Sequence, residues 1–295
     1  MSSKFMNNNS KIFCFGFGQV AKYFIKSLIL KKRKFDLVVT SRAKTKKKIF
    51  LNKKYLSLRF KDRNYDKKII FHLRKSDLIV VSIPPIKNQD LTLKNFKSEL
   101  KKSKFNNLLY LSSTSVYGNH KGKWVNEKSI LKPSTKFGKE RMLCERQWSK
   151  FQKTTNLPIN IFRLSGIYSK EFNVIKRLKK GLRTYIKKDN QYFSRIRVED
   201  IASAIDKIFF QNKIKGQIFN VSDNKPASNE EIIKYGSKIL NIKKLYSIGE
   251  KDLKSVFAKS FYKDSKKVNN KKLLKVLKLK LKYPSYREGL RDFIN

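Results

Sequence analysis

Short, continuous apolar runs separated by polar, helically periodic stretches dominate the first half of the chain. They lie at Ile12–Phe15, Leu37–Val39, Leu78–Ile83, Leu108–Leu111 and Ile159–Leu164, with a weaker run at Tyr55–Phe60. Runs of this length, rich in β-branched residues and unbroken by polar alternation, predict strands buried on both faces. Strands that alternate with helices predict an α/β fold built on a doubly wound parallel sheet. After Leu164 the rhythm changes. Phe172–Gly181 predicts a short helix closed by glycine. Val198–Phe210 predicts an amphipathic helix with Ile201, Ala204, Ile205, Ile208 and Phe209 on one side. Gln217–Val221 predicts a strand that rejoins the sheet. Asn229–Leu240 predicts a helix with Ser228 or Asn229 as N-cap and Glu230 and Glu231 in its first turn. Lys271–Leu281 repeats leucines among lysines. It predicts an amphipathic helix laid on the domain, a membrane-surface helix being the alternative.

The turn between the first run and the helical pattern that follows carries chemistry. Gly16-Phe17-Gly18-Gln19-Val20-Ala21 is a G-x-G-x-x-A sequence in a strand–turn–helix setting. Gly16 permits the tight turn, Gly18 has no side chain to obstruct a pyrophosphate, and Ala21 lets helix and strand pack closely. The helix N-terminus offers N–H groups and a positive dipole end to phosphates.

Composition alters this picture little. The 295 residues, 40% hydrophobic and 13% aromatic, are those of a folded chain. The formal net charge is +49, but 14 of the 71 basic residues are arginine and the lysines form no stripe. Compositional drift accounts for that better than a specific nucleic-acid role, although non-specific binding to polyanions at low salt is expected. Cys14 and Cys144 are far apart and are expected to be buried thiols in a reducing compartment. Met1–Ser10 is expected to be a frayed polar tail, and no apolar run approaches the length of a membrane span. A cytoplasmic protein without a specific nucleic-acid or membrane partner is expected. There is no HExxH, no zinc-ligand spacing, no Walker sequence and no Gly-x-Ser-x-Gly, so no metal centre is expected.

Further segments carry a family resemblance. They are Ser112-Ser113-Thr114-Ser115-Val116-Tyr117-Gly118, the stretch Pro133–Glu145, Phe162-Arg163-Leu-Ser-Gly166-Ile-Tyr168, Arg197-Val-Glu-Asp200-Ile-Ala202, Phe219-Asn220-Val-Ser-Asp223 and Tyr283-Pro284-Ser-Tyr-Arg287-Glu-Gly289. In this order they resemble the extended short-chain dehydrogenase/reductase superfamily, the NAD-dependent epimerase/dehydratase group. The resemblance implies a reaction centre of Ser/Thr, Tyr and Lys. Its Ser/Thr falls on Ser113. Its Y-x-x-x-K pair falls on Phe137 and Arg141, so the usual phenol is missing. Tyr117 and His120 are the candidates for a surrogate acid/base. The glycine motif departs as well, since Phe15 stands where the extended form carries its first glycine.

Cofactor choice follows from charge. NAD-selective sites carry Asp or Glu at the end of the second strand. Here that strand ends in Ser41 and Arg42, which suit a 2′-phosphate, so NADP is expected, with NAD as the other possibility. Ser82, Pro84 and Arg141 complete the expected cofactor contacts. The resemblance thus implies a frayed tail (1–10), an NAD(P)-binding Rossmann domain (11–165) and a smaller C-terminal substrate lobe (166–295) with elements that rejoin the sheet. It implies an oxidoreductase or epimerase acting on a small carbonyl or nucleotide-sugar-like substrate, expected as a homodimer. The alternative is a non-catalytic NAD(P)-sensing regulatory or scaffold protein.

Overall fold

A computed structural model describes residues 9–210, 214–253 and 256–294. Residues 1–8, most of the expected tail, lie outside it, while Ser10 opens the first strand. In chain order the strands are β1 Ser10–Phe15, β2 Phe35–Ser41, β3 Lys46–Phe50, β4 Lys53–Lys61, β5 Asn64–Tyr65, β6 Leu78–Val81, β7 Asn107–Ser113 and β8 Trp124–Val125. They continue as β9 Ile159–Leu164, β10 Gly166–Tyr168, β11 Thr184–Ile186, β12 Arg195–Arg197, β13 Ile218–Val221, β14 Tyr246–Ile248 and β15 Lys267–Val268. The helices are α1 Gln19–Leu30, α2 Lys68–Arg74, α3 Leu91–Lys102, α4 Lys136–Thr155 and α5 Val174–Lys179. The rest are α6 Val198–Phe209, α7 Asn229–Ile239, α8 Val256–Tyr262, α9 Lys271–Val276 and α10 Tyr286–Arg291.

The main sheet has the order β13-β9-β7-β6-β1-β2-β4-β3, with β5 on β4. Around β1 the pairs β1–β2, β1–β6, β2–β4 and β6–β7 are all parallel. The strand order reverses at β1, between β2 and β6. This is the doubly wound arrangement of the Rossmann type, whose ligand crevice lies outside the strand C-termini at that reversal. One departure sits between β2 and β4. No helix occurs there; β3 turns back antiparallel onto β4 instead.

The chain forms two compact units. One holds the residues up to Ser112, Leu143–Phe162 and Ile201–Ile218; the other holds Ser113–Met142, Arg163–Asp200 and Phe219–Asn295.

In the first unit, Phe13 and Phe15 of β1, Leu58 and Phe60 of β4 and Ile79 and Val81 of β6 join Ile69, Phe96, Tyr110 and Trp148 in one buried cluster. Ile12 and Cys14 alternate with those phenylalanines and are buried too, so the central strand is covered on both faces. The helix α1 buries Val20, Ala21, Phe24, Ile25 and Leu28, and Phe24 meets Phe209 of α6 edge-on at 5.5 Å. Each such aromatic side chain contributes about 1.5–3 kcal/mol of transfer free energy on burial.

In the second unit, Val174, Ile175 and Leu178 of α5 pack with Ile232 and Ile233 of α7 and Tyr286 and Leu290 of α10. A full capping box starts α7, Ser228 accepting from the Glu231 N–H and Glu231 from the Ser228 N–H. The helix expected over 271–281 is corrected to α9, which stops at Val276. Leu277 caps it and Lys278 takes a positive φ of 47°. Beyond that point Leu279 and Leu281 are buried with exposed residues between them, a period of two and not of 3.6.

Candidate functional site

The glycine turn is built from three directions within the first unit. Gly16 has φ +87°. A side chain there is strained by the backbone, and its Cβ would stand 2.9 Å from both Ile83 Cγ2 and Ser82 Oγ. The Thr40 hydroxyl accepts from the Gly16 N–H at 2.9 Å, which ties the end of β2 to the turn. The Ser82 hydroxyl donates to the carbonyl of Phe15 at 3.0 Å, with Gly16 O at 3.3 Å. Phe17 turns its ring onto Phe50 and Tyr55 of the β3–β4 hairpin at 5.4 and 5.2 Å.

Gly18 is different. It is the N-cap of α1 in extended geometry, with φ −79° and no side chain capping the helix. A Cβ built there would meet nothing within 4 Å. Backbone sterics therefore do not require this glycine, whereas a group lying against the helix N-terminus would. Such an open cradle fits the pyrophosphate of a dinucleotide. Val20 and Ala21 contribute their backbone to the first turn and turn their side chains into the core, Gln19 being half-buried. The structure thus brings Gly16–Ala21, Ser82 and the end of β2 together. At that end the Ser41 hydroxyl lies 3.1 Å from the Ser57 hydroxyl and Arg42 is exposed. Pro84 is exposed just beyond β6.

The second unit holds the residues expected to react. Ser113 ends β7 and caps a short 3₁₀ turn, Thr114–Tyr117, its hydroxyl accepting from the Ser115 N–H. Gly138, in the first turn of α4, lies against that turn: a Cβ there would be 2.7 Å from Ser115 O. The helix start carrying Phe137 and Arg141 is thereby brought beside Ser113. Phe137 and Arg141 are one turn apart, and the Arg141 guanidinium sits 5.2 Å from the Phe137 ring centroid, a cation–π contact.

Tyr117 points elsewhere. Its hydroxyl donates to Asn220 Oδ1 at 2.7 Å and accepts from Arg163 Nη1 at 2.9 Å. Burial pushes this phenol up to about 12 against the pull of Arg163. Glu127 accepts the Asn220 N–H at 2.8 Å and extends the network. The His120 ring is half-buried, 3.2 Å from Ile130 O, and burial and the nearby charge of Lys132 hold it below the ordinary imidazole range. Thr40, Ser57 and Glu127 gave no signal in the sequence, and Arg163 and Asn220 lay in segments that carried the resemblance without any sign of their pairing with Tyr117, which spans up to 103 residues.

A cavity of about 590 Å³ also lies in the second unit. Tyr168, Asn173, Arg177, Arg195, Asn229 and Tyr286 are among the residues that line it. Arg195 is fixed there by the carbonyls of Phe193 and Ala227, each 3.0 Å from Nη1.

A doubly wound sheet, a glycine turn at its strand-order reversal and a second unit bearing Ser113 and an α4 start beside it define an NAD(P)-binding fold of epimerase/dehydratase type. In these features the chain is similar to members of the NAD-dependent epimerase/dehydratase group of extended short-chain dehydrogenases/reductases. The model of the NAD dependent epimerase/dehydratase family matches residues 88–222. A dTDP-D-glucose 4,6-dehydratase of Dictyostelium discoideum is 28% identical over 172 residues, which are 51% of this chain and 37% of that protein. A conserved protein of unknown function from Silicibacter pomeroyi has a similar structure at 26% identity, with a TM-score of 0.79 over 97% of this chain and 98% of that one. A Tyr→Phe mutant of UDP-glucuronic acid 4-epimerase from Bacillus cereus, in complex with NAD and UDP-4-deoxy-4-fluoro-glucuronic acid, is also similar. It is 19% identical with a TM-score of 0.75, covering 96% of this chain and 98% of that one. Among the described residues no helix is long and apolar enough to cross a membrane.

Proposed function

We propose that this chain binds a pyridine dinucleotide on the first unit and acts as an oxidoreductase or epimerase on a small carbonyl or nucleotide-sugar-like substrate. The observation that carries the reading is the open space over Gly18 at the uncapped start of α1. The NAD held by the similar epimerase supports the cofactor class. We take NADP(H) as the preferred form, because Ser41 and Arg42 stand where an NAD site carries a carboxylate. Bound there, the nicotinamide would supply the hydride acceptor and donor.

The chain's own residues supply the rest. Ser113 orients the reacting oxygen, and Arg141 places charge and hydrogen bonds beside it. Of the two candidate proton carriers, His120 is favoured over Tyr117. The phenol of Tyr117 is buried, doubly hydrogen-bonded and raised to about 12, whereas the His120 ring is partly open, and burial and Lys132 hold it below the ordinary imidazole range, which favours the neutral ring that can accept a proton. Substrate occupies the cavity beside Asn173 and Arg195, where Lys176, Arg177 and Lys180 set a positive potential that suits an anion.

Phe137 favours a second reading, a protein that binds NAD(P) without turnover. It has no hydroxyl, and its ring is engaged by Arg141. A panel of nucleotide sugars and small carbonyls, incubated with either dinucleotide and followed by nicotinamide absorbance and by product analysis, separates the two. Product formation supports the enzyme. Tight binding without product supports the regulator. Failure to bind NAD(H) or NADP(H) sinks both.

A further inference from the structure

The hairpin that replaces a helix between β2 and β4 lays a polar row beside the glycine turn. In β4, Leu58 and Phe60 face the core cluster, so Ser57 and Arg59, which alternate with them, face the other way. The 3.1 Å approach of the Ser41 and Ser57 hydroxyls puts Ser41 on that same face. Ser41 is paired in register with Arg59 across the parallel ladder. On the antiparallel side Lys46 stands opposite Ser57 and Lys48 opposite Tyr55, and directly opposed residues share a face.

The row therefore holds the hydroxyls of Ser41, Ser57 and Tyr55, one arginine and two lysines, with exposed Arg42 next in sequence and no carboxylate. The acids of neighbouring loops are engaged elsewhere. Asp66 accepts from the Thr45 hydroxyl and the Lys68 N–H, and Asp62 pairs with Lys94. Thr45 also accepts the Arg59 N–H at 3.0 Å, which fixes the crossing segment over β4. Ser57 is 1% exposed. Neither serine hydroxyl has another hydrogen bond among the described residues, so when one donates to the other a hydroxyl proton is left to offer.

We propose that Ser57 and Arg59 join Ser41 and Arg42 in a subsite for the 2′-phosphate of NADP(H). This rests on the cofactor reading above and deepens it, since it names the residues that choose between the two dinucleotides. Serine hydroxyls and a planar guanidinium match the three oxygens of a phosphomonoester, while an NAD-selective site holds the ribose with a carboxylate that the row lacks. The hairpin, which occupies the place of a helix, provides half of the selecting groups.

Calorimetric titration of NADP⁺ and NAD⁺ into the wild type and into Arg59→Ala, Ser57→Ala and Ser57→Asp proteins tests this. The wild type is expected to favour NADP⁺ at least tenfold. Arg59→Ala should weaken NADP⁺ about tenfold and leave NAD⁺ within twofold, and Ser57→Asp should reverse the preference. Because Ser57 is buried and its aspartate variant is at risk of misfolding, the half-buried Arg59 and the Ser57→Ala variant decide the matter. A wild type that favours NAD⁺, or a ratio untouched by Arg59→Ala and Ser57→Ala, overturns the subsite alone. Absence of binding by either dinucleotide overturns the cofactor reading and the subsite with it.

Discussion

Two glycines two residues apart make opposite demands, and replacing each gives opposite results. At Gly16 a side chain meets φ +87° and atoms of Ser82 and Ile83 at 2.9 Å. The backbone penalty for an L-residue is about 1–2 kcal/mol, and the crowding adds about 1–3 kcal/mol. Gly16→Ala should therefore lower the melting temperature by roughly 4–20 °C, at about 2–4 °C per kcal/mol for a chain of this size. At Gly18 the geometry is extended and the space is empty. Valine there loses a few tenths to about 1 kcal/mol of N-cap preference. It regains about 0.4–1 kcal/mol through a less flexible unfolded chain. The ligand-free Gly18→Val protein should melt within about 3 °C of wild type.

The dinucleotide then discriminates. At a hundredfold excess over Kd, binding stabilises the wild type by about 2.7 kcal/mol, a shift of roughly 5–10 °C. If the valine branches fill the cradle and raise Kd a hundredfold, the same concentration yields about 0.4 kcal/mol, a shift of roughly 1 °C. Differential scanning fluorimetry with and without NADP⁺ and NAD⁺ reads both quantities. The reasoning is refuted if Gly18→Val keeps the wild-type cofactor shift. It is refuted equally if the ligand-free variant loses as much stability as Gly16→Ala.

Other outcomes follow from the second unit. A Cβ on Gly289 would collide with Tyr168 Oη at well under van der Waals distance. Gly289→Ala should thus cost about 1–3 kcal/mol in urea unfolding, and adding Tyr168→Phe should restore part of the loss. Burial pushes the Asp223 carboxyl up to about 8 against the Lys225 N–H and Arg195, with Asp200 and Glu288 raising it further. The native state then keeps a proton that the unfolded chain releases above about pH 4. Stability should fall as pH rises from about 4 towards 8, by about 1.4 kcal/mol per unit at most, and Asp223→Asn should flatten that slope; parallel melting curves for the two proteins would contradict it. The His120 ring should titrate by NMR below the ordinary imidazole range, because burial and Lys132 both disfavour its cation, and Lys132→Ala should move it upward. An unmoved titration would remove Lys132 as a cause.

What the sequence disclosed and what it hid divide along one physical line. Elements with a buried face carry their own period, so β1, α1, α6 and α7 could be read from the residues alone. The phenylalanine–arginine pair of α4 was placed only by the family resemblance, and the helix then brings the two together because i and i+4 are neighbours on it. The hairpin strand β3 is Lys-Lys-Lys-Ile-Phe, an edge strand with no fully buried residue, so no core enforces a pattern upon it. Its lysines instead discourage pairing of a second sheet along that edge. The Lys271–Leu281 leucines misled because Leu273, Leu274 and Leu277 fit a helix while Leu277, Leu279 and Leu281 fit an extended chain, and one positive φ at Lys278 decides between them. The polar partners that fix the turn and the 3₁₀ segment, Thr40 on Gly16 and Asn220 on Tyr117, meet across 24 and 103 residues. Such pairings leave no local trace, because a hydroxyl or amide within a strand has the same sequence neighbours whether or not a distant N–H or phenol reaches it. The candidate chemistry was visible where one turn of backbone carried it, and invisible where it depended on the fold.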